Sequence, residues 1–101
     1  MAPVRAIRLD LQDTVAAVLA DAPVGSAIAA ECGDDLHTVI AVEEIPFGFK
    51  VALEDVAAGG TVRKYGAPIG RASQPIKAGE LVHIHNLEGI RGRGDLTEGA
   101  E

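Results

Sequence analysis

The chain has one cysteine, Cys32, and no tryptophan. A lone thiol excludes an internal disulfide framework and an all-cysteine metal site. Aromatic residues make up only 3% of the sequence, so there is no stacking platform for single-stranded nucleic acid. Positive charge is scarce as well: nine Lys and Arg against 15 Asp and Glu leave a net charge of −6. That excludes the basic footprint of a nucleic-acid-binding domain. No apolar run approaches the roughly 20 residues of a membrane-spanning helix. The opening M-A-P-V-R-A-I-R-L-D has neither an apolar stretch nor a cleavage signature. No secretory leader is therefore expected, and the absences together favour the cytosol.

What remains is 101 residues, 48% of them hydrophobic and drawn from Ala, Val, Ile and Leu. That length is one domain, able to bury about 60–65% of its unfolded surface. Twelve glycines and five prolines punctuate short β-branched runs, which argues for compact β structure rather than a helical bundle. Strands are expected at 4–9, 26–31, 36–43, 49–53, 61–65, 69–72 and 80–87, with 14–20 either strand or helix. The expected domain covers 1–88. Residues 89–101, rich in Gly and charge, read as a flexible tail.

A short pattern recurs at the turns. Asp21-x₃-Gly25-x₂-Ile28 matches Asp55-x₃-Gly59-x₂-Val62, and Pro75-x₃-Gly79-x₂-Val82 is a third copy without the Asp. The irregular spacing excludes a solenoid. A reused corner explains it: an apolar side chain pins the bend, Gly permits the twist, and a β-branched residue restarts the strand. Charge is also uneven. Residues 1–45 carry two bases and eight acids, whereas 46–94 carry seven bases and four acids. An anionic ligand is better tolerated in the second half.

Three segments offer chemistry. His83-Ile84-His85-Asn86, read as strand, puts two imidazoles side by side on one face. Such a pair suits a divalent transition metal or a proton donor and acceptor, although two ligands do not complete a site. A half-exposed polar strand face is the simpler reading. Lys64-Tyr65-Gly66 runs from a strand into a turn, with a lysine for a carboxylate and the single tyrosine. Phe47-Gly48-Phe49-Lys50 combines two aromatics with a second lysine, as core packing or as a patch for a partner. Lys50 and Lys64 could clamp an anion together, but sequence does not bring them close. Asp34-Asp35 and Glu43-Glu44 read as solvated charges, and His37 as a strand residue without a role.

The run I-P-F-G-F-K-V-A-L-E-D-V-A-A-G-G-T-V-R-K-Y-G-A-P-I-G-R-A, from Ile45 to Ala72, resembles the small β-clip (SAF-type) domain of the altronate/galactarate dehydratase family. So does I-K-A-G-E-L-V-H-I-H-N-L, from Ile76 to Leu87, and residues 4–31 look like the opening strands of that domain. The resemblance implies a mainly β, β-clip fold and a sugar-acid lyase that removes water to give a 2-keto-3-deoxy acid. It also implies a divalent metal, iron or manganese. The ending R-G-R-G-D looks like versions in which the small domain is a separate polypeptide paired with a large catalytic subunit. Some such relatives eliminate sulfite from sulfolactate, and domains of this type also occur as non-catalytic binding modules. Carried over by position are Lys50, Lys64, Tyr65 and Gly66 toward the anionic substrate, and His83 and His85 toward metal and catalysis. One departure stands out: the family usually has G-H-K where this chain has Gly48-Phe49-Lys50. A homodimer of the free domain is a further expectation, from its exposed strand edges.

Overall fold

A computed structural model describes residues 2–89 of the chain, and every regular element in it is a strand. The strands are β1 (Val4–Ile7), β2 (Val15–Val18), β3 (Ala27–Cys32), β4 (Asp35–Ile40), β5 (Lys50–Ala52), β6 (Thr61–Lys64), β7 (Ala67–Ala72), β8 (Leu81–Val82) and β9 (Leu87–Gly89). This is the mainly β, SAF-like architecture that the sequence implies. The open choice at 14–20 resolves to strand. Six strands form one sheet in the order β4-β3-β1-β2-β5-β8, and β6-β7-β9 form a second. Among the described strands only β1 and β3 pair in parallel.

Two cores lie on opposite faces of β2 and β5. Ala16, Val18 and Val51 join Ile28, Val39 and Ile45 in the first. Val15 and Ala52 join Val56, Val62, Ile76 and Val82 in the second. Successive side chains on a strand point to opposite faces, so a strand shared by two cores must be apolar nearly throughout. The V-A-A-V sequence of β2 meets that demand with small side chains.

The repeated corner occurs four times in the structure. The fourth copy is Glu44-x₃-Gly48-x₂-Val51, whose aromatics the sequence offers as core packing or as a patch for a partner. Each copy is a type II turn closed by an i→i+3 hydrogen bond: Ser26 N–H to Pro23 O, Phe49 to Pro46, Gly60 to Ala57 and Glu80 to Lys77. Its third residue has φ between 84° and 91°, as type II geometry requires of Gly. The copies associate in two pairs. Ala22 and Ile45 exchange both backbone hydrogen bonds, and so do Val56 and Ile76. Within each pair the turn glycine of one copy donates to the strand leading into the other. Gly25 donates to Ala41 O and Gly48 to Val18 O; Gly59 donates to Ala72 O and Gly79 to Ala52 O. Each half of the fold is thus a pseudo-twofold pair of corners over its own core. A hairpin joins the two copies within each half, β3–β4 in the first and β6–β7 in the second.

The large sheet curls until its ends meet. Val42 N–H donates to Gly79 O, and Leu81 N–H to the Glu43 carboxylate at 2.9 Å. His37 Nε2 donates to Leu53 O at 2.7 Å. Glu43 and His37 therefore close the sheet, where the sequence suggested a solvated charge and a residue without a role. Asp35 is solvent-exposed as expected, but it also pairs at 2.8 Å with Arg8, whose side chain is 7% exposed. Gly89 pairs with Gly70 in β9, so the ordered strands extend one residue past the expected domain boundary. The expected tail beyond it lies outside the described residues.

Candidate functional site

The positive charge of Lys64 reaches Lys50, the other lysine of the sequence argument. Lys50 opens β5 and shares a face with Ala52, so it stands at the rim of the second core. Lys64 ends β6 and pairs with Ala67 across a two-residue turn, Tyr65-Gly66. Burial and the positive charge of Lys64 both hold the Lys50 ammonium below its ordinary titration range, burial being the larger cause. The Lys64 Nζ lies 4.7 Å from the centre of the Tyr65 ring, a cation–π contact. Tyr65 is 49% exposed, so its hydroxyl is open to solvent or to a ligand.

The turn carrying Lys64 and Tyr65 has an unusual backbone. Tyr65 has φ 58° and Gly66 φ 80°, the pair of positive values that defines a type I′ hairpin. Among the described residues Tyr65 is the only non-glycine with positive φ. Its N–H and that of Gly66 donate to the two carboxylate oxygens of Asp13, each at 2.8 Å. Asp13 is 4% exposed. Sequence reasoning missed it, because it lies 52 residues from its partner in a stretch without a motif.

The histidine segment departs from expectation. β8 ends at Val82, and residues 83–86 form a turn closed by Asn86 N–H to His83 O. The alternation that would set His83 beside His85 therefore does not apply. Asn86 is the organiser: 2% exposed, it accepts from His83 N–H through Oδ1 at 2.9 Å and donates from Nδ2 to Leu81 O at 2.8 Å. These side-chain bonds replace the ladder of a continuing strand. His83 is half-buried with its ring against Phe49, while Ile84 and His85 are exposed. Because Lys50 pairs with Val82, the Phe49–His83 contact lies one rung from Lys50.

Metal-ligating capacity is limited. Among the described residues no group of three or more His, Cys, Asp or Glu side chains is placed to hold a metal ion. Among the described residues, His83 and His85 are two donors without a third ligand placed beside them. The arrangement offers two ammonium groups, one partly desolvated, and an exposed tyrosine, the kinds of group that pair with carboxylates and sulfonates.

Comparison with known proteins bears on this arrangement. Residues 4–89 match the altronate/galactarate dehydratase SAF domain. The chain belongs to that family. It is 42% identical over 80 residues to an altronate dehydratase of Escherichia coli, covering 79% of this chain and 15% of that protein. It is 35% identical over 86 residues to an altronate dehydratase of Bacillus subtilis, covering 81% and 16%. A (2R)-sulfolactate sulfo-lyase subunit alpha of Chromohalobacter salexigens is 48% identical over 46 residues, 46% of this chain and 49% of that subunit. The chain thus spans about one-sixth of the altronate dehydratases it matches, and those relatives are lyases of which this SAF domain is one part. Among the described residues no helix is long and apolar enough to cross a membrane.

Proposed function

We propose that this SAF domain is the small subunit of a sugar-acid dehydratase of the altronate/galactarate type. It acts with a separate large subunit that supplies most of the active site. The observation that carries this reading is the match of residues 4–89 to the altronate/galactarate dehydratase SAF domain, with Lys50 and the Lys64-Tyr65 turn as the cations within electrostatic reach of each other. In such an elimination a proton leaves the carbon next to the substrate carboxylate, and the β-hydroxyl departs as water. Negative charge grows on the carboxylate oxygens as the proton leaves. Ammonium groups aimed at those oxygens stabilise it best in a dry site, which the large subunit would provide by covering the rim. The divalent metal belongs to the assembled enzyme, with His83 or His85 contributing beside donors from the large chain.

A second reading rests on the alpha subunits of sulfolactate sulfo-lyase, whose similarity covers a little under half of the chain. There the same cations would face a substrate carboxylate while sulfite leaves. A third, a non-catalytic carbohydrate- or protein-binding module, draws on the apolar Phe49 that covers His83. Co-purification with the large-subunit homologue of the same genome separates the three. Metal content and turnover of sugar acids and of sulfolactate are measured on the pair. A tight pair that dehydrates a sugar acid supports the first reading. Sulfite release supports the second, and a chain with no partner and no turnover overturns both.

A further inference from the structure

We propose that Asp13 is a positioning residue for this site: by accepting from the Tyr65 and Gly66 N–H groups, it fixes the β6–β7 turn that carries Lys64 and Tyr65. The inference rests on reading Lys50 and Lys64 as the anion receptor, and its test is built to fail separately from that reading.

The geometry is specific. The carboxylate is almost wholly buried, and among the described residues it forms no ion pair. Its partners are N–H groups: Tyr65 and Gly66 at 2.8 Å, and Asp10 at 3.3 Å. A buried carboxylate is stable only when such donors satisfy it, so its place and that of the turn are mutually determined. The Asp10 side chain packs against Gly66 from the same loop, leaving no room there for a Cβ without a shift. The turn is not one the sequence favours by itself. Type I′ hairpins prefer Asn or Gly at the first position, and here a tyrosine occupies it in a left-handed conformation. The clamp thus holds a residue with functional capacity in a backbone state that a free hairpin would leave. A strained residue held by its surroundings beside charged groups is how sites are preorganised.

The neighbouring Thr14 supplies the control. Its N–H donates to Arg63 O, and its Oγ accepts from Arg63 N–H at 2.9 Å. Thr14 therefore tethers β6 but not the turn. A residue with a merely structural role would act as Thr14 does.

The experiment compares Asp13→Asn and Thr14→Val in the full chain. Asparagine offers one acceptor oxygen, so one of the two turn N–H groups meets an NH₂ instead. Two readouts are taken: titration of the Lys50 ammonium by NMR, and affinity for altronate and for sulfolactate. In Asp13→Asn, Lys50 is expected to titrate at higher pH, because Lys64 recedes, and anion affinity is expected to fall at least fivefold. Thr14→Val is expected to change neither, while losing stability. A folded Asp13→Asn with parental Lys50 titration and affinities within twofold overturns the proposal. Should that variant not fold, Asp13→Glu keeps both oxygens and the charge on an arm one methylene longer, and the same readouts decide. If the parent chain binds neither anion, the receptor reading fails, and the Lys50 titration alone still decides the role of Asp13.

Discussion

The rings of Phe49 and His83 meet edge to face, with 5.0 Å between centroids and 65° between planes. Position 49 is where the SAF sequences that this chain resembles usually carry histidine. An imidazole there would stand within reach of a metal shared with His83, whereas phenyl offers only an apolar edge. Phe49→His is therefore expected to bind Co²⁺ or Zn²⁺ at least tenfold more tightly than the parent, about 1.4 kcal/mol. The loss of apolar burial against the first core is expected to cost about 1–2 kcal/mol of stability. Calorimetric metal titration and a urea melt check the two effects. Unchanged metal affinity in a folded variant would show that the two rings do not form a joint site.

Lys50 links stability and anion binding to pH. Burial and then Lys64 lower its titration from the ordinary 10.5, so the folded state holds this proton less tightly than the unfolded one. The charged amine is a full cost to folding below the folded-state midpoint. That cost fades as pH rises from that midpoint toward 10.5. Lys50→Met is expected to be more stable than the parent at pH 7, with the difference shrinking as 10.5 is approached, read from urea melts across that range. A bound anion favours the charged form. Affinity for altronate or sulfolactate is thus expected to fall as pH climbs through the same window, and to drop at least tenfold in Lys50→Met at pH 7.

Asn86 governs the turn that carries His83 and His85. Asn86→Ala removes the acceptor of His83 N–H and the donor to Leu81 O inside a buried site. A loss of about 2–4 kcal/mol is expected, from two unmet backbone groups and a small void. Asn86→Asp keeps the acceptor but turns an oxygen toward Leu81 O. It is expected to be as damaging at neutral pH and partly restored in acid, where the protonated carboxyl donates again. Denaturant melts at pH 4 and pH 7 read both. An Asn86→Ala chain of parental stability would remove Asn86 from this role.

Local chemistry carried most of the fold into the sequence. Gly and Pro punctuation marked the corners, and β-branched runs marked the strands between them. The Lys64-Tyr65-Gly66 element was legible for the same reason, since a strand ended at a glycine. Three things were hidden. The Pro46-Gly48 break was legible, but its kinship with the other corners was hidden, because Glu44 stands where two copies have Asp and the aromatics Phe47 and Phe49 read as core packing or a partner patch. The H-I-H-N segment alternates like a strand, yet the Asn86 amide takes over the ladder bonds, and periodicity does not register side-chain bonds to backbone. Asp13, Glu43 and His37 act on partners 52, 38 and 16 residues away, a distance at which single-sequence patterns carry no contact information.

The four equivalent corners form an internal control for glycine. Gly25, Gly48 and Gly59 have φ of 87°, 85° and 84°, and a Cβ on any of them meets nothing within 4 Å. Alanine there bears only the backbone cost, about 1–2 kcal/mol. Gly79 has the same conformation, φ 91°, but a Cβ on it would run into the carbonyl oxygen of Ile40. That carbonyl belongs to the end of β4, where the curled sheet closes on the last corner through Val42 N–H and Gly79 O. Neither backbone can retreat without opening the closure. Gly79→Ala is therefore expected to cost well over 3 kcal/mol or to prevent folding, although its turn type matches that of the other three. Parallel urea melts of the four alanine variants test this. Equal losses at all four positions would mean that the sheet closes more loosely at Ile40 than the contact implies. A selective loss at Gly79 would mark the meeting of β4 with the Gly79 corner as the tightest contact between the two halves.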